Sequence, residues 1–406
     1  MSVVTFIPGG VVSAKGFSAA GAAGAIKYEG RNDVALIVAD SPCEAAAVFT
    51  TNKVAAAPVL YDRKVVKGGV VQAILANSGC ANACTGEKGL ADAEMSALVT
   101  AGELGISPKH VLVASTGVIG RRLPMERLLE GMCKAKAALG RTSEHGLSAA
   151  KAVMTTDTRP KEACVTVRIG SKKVTVGGMA KGSGMIEPNM ATMLGFITTD
   201  CAISSAMLRR ALKLAIAKSF NNLVVDGDES TNDSVFIMAS GKALNEKITR
   251  GGEAFESFRK ALEAVCVSLA RQMAADGEGA TKFVTVTVKG ARSEKDASRA
   301  ARAIAKSPLA KTSWFGKDPN WGRVLAAVGY SGADVDDMKT EVFYDGVWAF
   351  RRGETADEKQ LKRLEKVLEK DAFEIIVDLH LGKGESSIYT CDFSVEYVHI
   401  NADYTT

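Results

Sequence analysis

The residues best equipped for group transfer lie in one stretch, Lys181-Gly-Ser-Gly-Met-Ile-Glu-Pro-Asn-Met-Ala-Thr192-Met-Leu, where a glycine-rich loop delivers a threonine to an apolar run ending at Thr199. A threonine hydroxyl is a weak nucleophile until a neighbouring base takes its proton. Histidine, the commonest such base, is scarce: the four are His110, His145, His380 and His399, and none stands in a His-Glu-x-x-His or similar metal spacing. No Gly-x-Ser-x-Gly elbow occurs, so a serine-triad hydrolase has no support. The Walker pattern fails because Lys181 precedes Gly182, and a dinucleotide fingerprint at Gly182-Ser-Gly184 fails at Glu187. Asp226-Gly-Asp228-Glu-Ser230 imitates the start of a calcium loop but lacks the later glycine and glutamate, so it reads as a solvated turn. Cys80 and Cys84 have no second pair to complete a tetrahedral metal set and read as core thiols. By spacing alone Thr192 also reads simply as a β-branched residue where a loop enters a buried strand.

The elements that must position these residues are legible in outline. The chain has 406 residues, 47% hydrophobic and 24% charged, which fits a soluble globular protein of one large domain or two. Lys and Arg number 51 against 46 Asp and Glu, and the resulting +5 is spread along the chain, which argues against a nucleic-acid scaffold. The longest uncharged window, 68–86, carries Gln72, Asn77, Ser78 and Asn82 and is no membrane span. An N-terminus without signal or transit features leads to the expectation of a cytoplasmic protein. The eight cysteines are too sparse for a disulfide framework and are expected to be mostly buried, reduced thiols. Strand-like runs are expected at Val34–Ala39, Ala73–Asn77, His110–Ala114, Val165–Ile169, Phe283–Lys289, Phe373–Leu381 and Phe393–Asn401. Phe255, Phe258, Leu262, Val265, Leu269 and Met273 mark one face of a long helix ending before Gly277. Leu208, Leu212 and Ile216 mark a second helix, and Leu361, Leu364 and Leu368 a third. Such alternation without a repeat gives α/β or α+β layers as the default architecture.

The Thr192 segment resembles the cleavage and nucleophile motif of the ornithine acetyltransferases, the glutamate N-acetyltransferases of the cyclic arginine pathway. Further signatures follow in family order: Val11-Val-Ser-Ala-Lys15-Gly-Phe, Asn77-Ser-Gly-Cys80-Ala-Asn82-Ala-Cys84-Thr-Gly, Ser115-Thr116-Gly117-Val-Ile-Gly120, Thr155-Thr156-Asp157-Thr158, Asp226-Gly-Asp-Glu-Ser-Thr231-Asn232-Asp233, Asp276-Gly-Glu278-Gly-Ala-Thr281-Lys282, Asp318-Pro-Asn320-Trp321-Gly322-Arg323 and Ile400-Asn401-Ala-Asp-Tyr404-Thr-Thr406. They span essentially the whole chain.

The resemblance implies an α/β layered sandwich of the ornithine acetyltransferase type, made as a precursor that cuts itself between Ala191 and Thr192. The products would be an α chain, 1–191, and a β chain, 192–406, which stay associated, commonly as an α2β2 heterotetramer. Cleavage would leave Thr192 with a free α-amine, whose ordinary pKa of about 7.7 to 8.0 suits it to activate the adjoining hydroxyl. The family places Thr116 and Gly117 in an oxyanion hole, and Thr155, Lys181, Thr192, Glu278, Asn401 and Thr406 in the substrate site, with Thr156 an alternative to Thr155. Lys181 suits an α-carboxylate and Glu278 a terminal ammonium. The implied reaction passes an acetyl group from N2-acetylornithine to glutamate through an acetyl-Thr192 ester. It needs no metal or redox cofactor, and acetyl-CoA is a possible second donor. An amidase or aminopeptidase of similar fold, and an uncleaved amino-acid-binding protein, are the rival readings.

Overall fold

The computed structural model describes residues 3–187 and 193–403. Ala191, Thr192 and Thr406 therefore lie outside the described residues. Nine strands of the larger sheet are β1 (Thr5–Ile7), β2 (Phe17–Ala22), β3 (Val34–Phe49), β4 (Val70–Asn77), β5 (Val111–Ser115), β6 (Lys161–Ile169), β7 (Lys172–Lys181), β8 (Leu194–Thr199) and β9 (Ser234–Ala239), all within the described residues. Their order is β1-β6-β7-β8-β9-β3-β4-β5, with β2 also paired to β3.

The long strand β3 shapes this sheet. Its first half pairs with β2 and its second half, Glu44–Phe49, with β9. β4 runs along the opposite edge, and the pairing slips between Val38 and Cys43, an irregularity of the kind that bends a strand. Period-two alternation then sends Ala35, Ile37 and Ala39 to one face and Val34 and Leu36 to the other. The first set joins Ile74, Leu112, Leu194, Phe196, Phe236 and Met238 in a single buried cluster, so the β3–β5 and β7–β9 halves face each other across one core.

Helices cover both outer faces. Glu253–Ala275 and Ser205–Ala217 pack on Val165, Val176, Ile197 and Ile237. Gly86–Leu104 and Met125–Ala137 pack on Leu36, Leu75 and Val113. Helix, sheet, sheet and helix thus stack as an α/β layered sandwich. The helix Glu253–Ala275 forms as its spacing predicts, its Phe255-to-Met273 stripe wholly buried and Glu253 and Glu256 complementing its N-terminal dipole.

A second sheet gathers β10 (Phe283–Ala291), β11 (Glu341–Tyr344), β12 (Val347–Arg351), β13 (Glu354–Thr355), β14 (Ala372–Asp378) and β15 (Gly384–Cys391) in the order β13-β12-β11-β14-β10-β15. Its own core includes Trp314, Tyr344, Leu364 and Ile388. Residues on the two sides of the Ala191–Thr192 bond are not separate domains: β7 and β8 pair from Lys181↔Leu194 to Val176↔Thr199. Among the described residues no helix is long and apolar enough to cross a membrane.

Three expectations change. Phe393–Asn401 is not a strand; Val395–Asp403 is a helix. Phe393 and Tyr397, four residues apart, stack with ring centroids 4.7 Å apart, while Val395 and Val398 face solvent, so the alternating apolar residues serve no sheet. Asp226 is more than a solvated turn residue, since its carboxylate accepts the Met185 and Ile186 N–H groups at 2.5 and 2.8 Å. Cys84 is exposed rather than a core thiol, and so is Cys133, whereas Cys80 and the other five cysteines are buried.

Phe236 ties the inward faces together, fully buried, stacked on Phe196 at 5.7 Å and edge-on to Phe49 at 6.0 Å. Phe236→Ala should cost about 3–5 kcal/mol, seen as a lower urea midpoint; an unchanged midpoint would contradict a shared core between the sheet halves.

Candidate active site

The parallel strands β4 and β5 end together, Asn77 beside Ser115. The chain leaves them in two loops that lock onto each other. The Thr116 N–H donates to the Asn77 carbonyl at 3.0 Å, and the Ser115 hydroxyl to Asn77 Oδ1 at 2.7 Å. Gly117 sits at φ +126°, and a Cβ there would come within 2.4 Å of the Gly79 carbonyl carbon. Only glycine accepts both that conformation and that approach. The Gly117 N–H has no acceptor among the described residues, which leaves it available as a donor. Asn232 clamps the arrangement from the loop before β9, its Nδ2 donating to Ala81 O at 2.6 Å and to Ser115 O at 2.8 Å.

Lys181, the last residue of β7, donates to Thr116 Oγ1 at 3.2 Å. Lys181 is 5% exposed, and burial lowers its pKa against the opposing attraction of Asp157. A buried charge persists only when it is paired, and here a network supplies the pairing. Lys161 Nζ, fully buried, donates to Asp157 Oδ1 at 2.6 Å and to Asp276 Oδ2 at 2.5 Å. Asp157 also accepts the Gly182 N–H at 2.8 Å and the Thr155 N–H at 3.1 Å. Burial opposes ionisation of Asp157, but Lys181 and Lys161 outweigh it and hold its carboxyl down at about 2.

Asp276 caps the C-terminal end of the helix Glu253–Ala275 and begins the turn that carries Glu278. The Glu278 N–H donates to Ser183 O at 2.9 Å, and its carboxylate accepts from Asn401 Nδ2 at 2.8 Å. Gly184 makes room, since a Cβ there would lie 2.2 Å from Glu278 Oε2. Gly279, at φ +66°, lets the backbone of Tyr397 approach closely and so seats the C-terminal helix.

These segments enclose a cavity of about 80 Å3, lined among the described residues by Thr116, Gly117, Thr155, Thr156, Lys181, Glu278 and Asn401, with Ala81, Ile119, Met185 and Asn232. The structure thus brings together every proposed site residue that it describes. Sequence reasoning missed Asn232, Asp157, Lys161 and Asp276 as site-forming residues. Asn232, Asp157 and Asp276 stand inside quoted motifs, whereas Lys161 stands in none and is recognised only by its burial. Among the described residues no cluster of three or more His, Cys, Asp or Glu side chains is arranged to hold a metal ion.

A hydroxyl and a free backbone N–H side by side have the chemistry to receive an oxyanion, and a lysine and a carboxylate in the same small cavity have charges complementary to those of an amino acid. Such equipment belongs to acyl-transfer enzymes acting on small zwitterions. The ArgJ family model matches residues 18–406, and the chain belongs to that family. The arginine biosynthesis bifunctional protein ArgJ of Geobacter sulfurreducens is 50% identical over 395 residues, spanning 97% of this chain and 100% of the relative. The glutamate N-acetyltransferase of Methanocaldococcus jannaschii is 46% identical over 411 residues, spanning 98% and 99%. Among solved structures, ornithine acetyltransferase of Mycobacterium tuberculosis complexed with ornithine is 41% identical, with a TM-score of 0.44, covering 46% of this chain and 99% of that one.

The Asp157 network predicts an acid limb of stability. Its carboxyl titrates at about 2 in the fold against about 3.9 unfolded. The stability it lends is therefore complete above pH ~4 and fades as pH falls through ~2. Asp157→Asn should cost about 3–5 kcal/mol at neutral pH and flatten that limb, read from urea midpoints across the range. A variant as stable as the parent at pH 7 would show that the network contributes nothing.

Proposed function

We propose that this chain is an acetyltransferase of arginine biosynthesis that carries the acetyl group of N2-acetylornithine to glutamate through an ester on Thr192. The observation that carries the reading is the convergence, in a chain half identical to a bifunctional ArgJ protein along its length, of oxyanion donors, Lys181 and Glu278 on one cavity. The ester follows from the chemistry. Thr192 Oγ adds to the acetyl carbonyl, negative charge builds on the carbonyl oxygen, and the Gly117 N–H and Thr116 hydroxyl receive it. Ornithine leaves as the free amine, and the glutamate amine attacks the ester in turn. Lys181 holds the α-carboxylate and Glu278, steadied by Asn401, the ornithine ammonium.

The Thr192 hydroxyl needs a base, and the scarcity of histidine leaves its own α-amine in that role once the chain has cut itself before Thr192. Fragments 1–191 and 192–406 then remain joined through the β7–β8 pairing and two shared cores. Association as α2β2, a cytoplasmic location and acetyl-CoA as a second donor belong to the same proposal. The bifunctional name of the close relatives supports the last of these.

Intact mass under denaturing conditions tests the reading, with N-terminal sequencing of the fragments. Two chains are expected, the second beginning Thr192-Met193-Leu194, in a preparation that transfers acetyl from N2-acetylornithine to glutamate. A single uncut chain without transfer would overturn it. Thr116→Ala should lower kcat by about 10²- to 10³-fold with cleaved chains still present; a change of only a few-fold would remove Thr116 from the oxyanion hole.

A further inference from the structure

Among the described residues two lysines have no solvent exposure, Lys161 and Lys311, and only the first belongs to the network around the cavity. Lys311 stands on the helix Pro308–Phe315, whose first turn the Ser307 hydroxyl caps by accepting the Ala310 N–H at 3.2 Å. The Asp318-to-Arg323 motif, which the acetyl-transfer chemistry leaves unused, fastens the same helix: the Asp318 N–H donates to Ser313 O at 2.9 Å and Arg323 Nη1 to Leu309 O at 2.8 Å. The side-chain contacts of Lys311 then fall on one short segment. Its Nζ donates to Thr390 Oγ1 at 2.9 Å and to the Cys391 carbonyl, and lies 4.7 Å from the centre of the Phe393 ring, within cation–π range. Burial lowers its pKa, against the attraction of Cys391, Asp392 and Asp226. An ammonium buried at such a cost calls for a reason.

The segment it touches is where β15 ends and the helix Val395–Asp403 begins, and links run from there to one end of the cavity. Asp392 accepts the Thr281 and Lys282 N–H groups at 2.8 and 2.9 Å, which fixes the exit of the turn that carries Glu278. The Ser394 hydroxyl donates to Gly279 O at 2.5 Å, one residue from Glu278. Phe393, whose N–H also donates to Lys311 O at 3.3 Å, stacks on Tyr397 with ring centroids 4.7 Å apart. The Tyr397 carbonyl accepts Asn401 Nδ2 at 3.0 Å, and the same Nδ2 donates to Glu278 Oε2 at 2.8 Å.

We propose that Lys311 is a positioning residue for the ammonium end of the substrate: by clamping residues 390–393 it holds Glu278 and Asn401 in place, and so sets how well the cavity distinguishes a ligand with a terminal ammonium from one without. This inference rests on the reading above in which Glu278 meets the ornithine ammonium. Lys311 is not among the residues that line the cavity, so it acts through its neighbours. An ammonium offers three donors and no acceptor, which suits a segment that presents a hydroxyl oxygen, a carbonyl and a ring face. An apolar side chain of the same length satisfies neither oxygen.

The test is calorimetric binding, to the full protein, of ornithine and of norvaline, which is ornithine without its terminal ammonium. Lys311→Met keeps the stem and discards the charge, and exchanging a buried charge for an apolar side chain of similar volume often leaves stability intact. The variant should therefore melt within a few degrees of the parent. The parent should prefer ornithine by about 30-fold or more; in Lys311→Met that preference should shrink by about tenfold while the affinity for norvaline stays close to the parent's. A folded variant that keeps the parent's preference overturns the assignment and leaves the proposed function standing. So does one that loses affinity for both ligands alike, because that is general loosening. A parent that binds ornithine no better than norvaline overturns the placement of the ammonium on Glu278, and this inference with it. Should Lys311→Met fail to fold, Phe393→Leu decides, since it keeps apolar bulk and removes the ring face: a narrowed preference supports the assignment and an unchanged one overturns it.

Discussion

The site depends on one buried cation. Lys161 lies without solvent exposure between Asp157 and Asp276, and each carboxylate reaches outward to a different wall of the cavity. Asp157 takes the N–H groups of Thr155 and Gly182, fixing the loop after the helix Ser143–Ala152 and the end of β7. Asp276 takes the Thr158 N–H at 3.1 Å and accepts the Thr158 hydroxyl, and it precedes the turn holding Glu278. Without Lys161 two carboxylates would stand close together in a medium that screens poorly, and one would protonate. Lys181 would lose its counter-charge with it. A surface ion pair is worth little; this one is buried, where removing a member leaves its partners poorly compensated.

The same economy would make the proposed cut between two strands tolerable. A peptide bond contributes to the fold mainly by holding neighbouring elements at high effective concentration. Here β7 and β8 are already paired over six residues and packed on both faces. The glycines of β7 bring other segments close: a Cβ at Gly177 would lie 2.1 Å from Gly10 O, so the N-terminal loop is pressed against this strand. Breaking the chain after residue 191 would then leave the sandwich held together by these pairings.

Much of this was legible in the sequence, and the failures have physical causes. The helix Glu253–Ala275 was readable because its stripe serves one environment throughout, a buried sheet face. Thr116, Gly117, Lys181 and Glu278 were readable through motifs, and the structure gathers them on one cavity. Lys161 was not, because a lysine on a strand edge and a lysine buried between two aspartates have the same spelling. Phe393–Asn401 misled because aromatic and β-branched residues at alternating positions imitate a strand, whereas the choice was made by Gly279 admitting a helix and Asn401 reaching Glu278. Both are long-range facts that no local window contains.

The charges on the cavity bear on the order of events. The space is small, about 80 Å3. Among the described residues it also presents one lysine, Lys181, and one carboxylate, that of Glu278, a single set of counter-charges. Donor and acceptor share an α-carboxylate and differ in the side chain, so in the proposed function both would be held by Lys181 in the same pose. Two such molecules would compete for that ammonium. The acetyl-enzyme of the proposed function would resolve that competition, because the acyl group would stay while ornithine leaves and glutamate enters. In that proposal the Glu278 carboxylate would meet a glutamate side chain of like charge, and Asn401, which donates to that carboxylate at 2.8 Å, would mediate between them. A cavity with one lysine for the α-carboxylate would thus favour turn-taking, and turn-taking would need a nucleophile that keeps the acetyl group between visits.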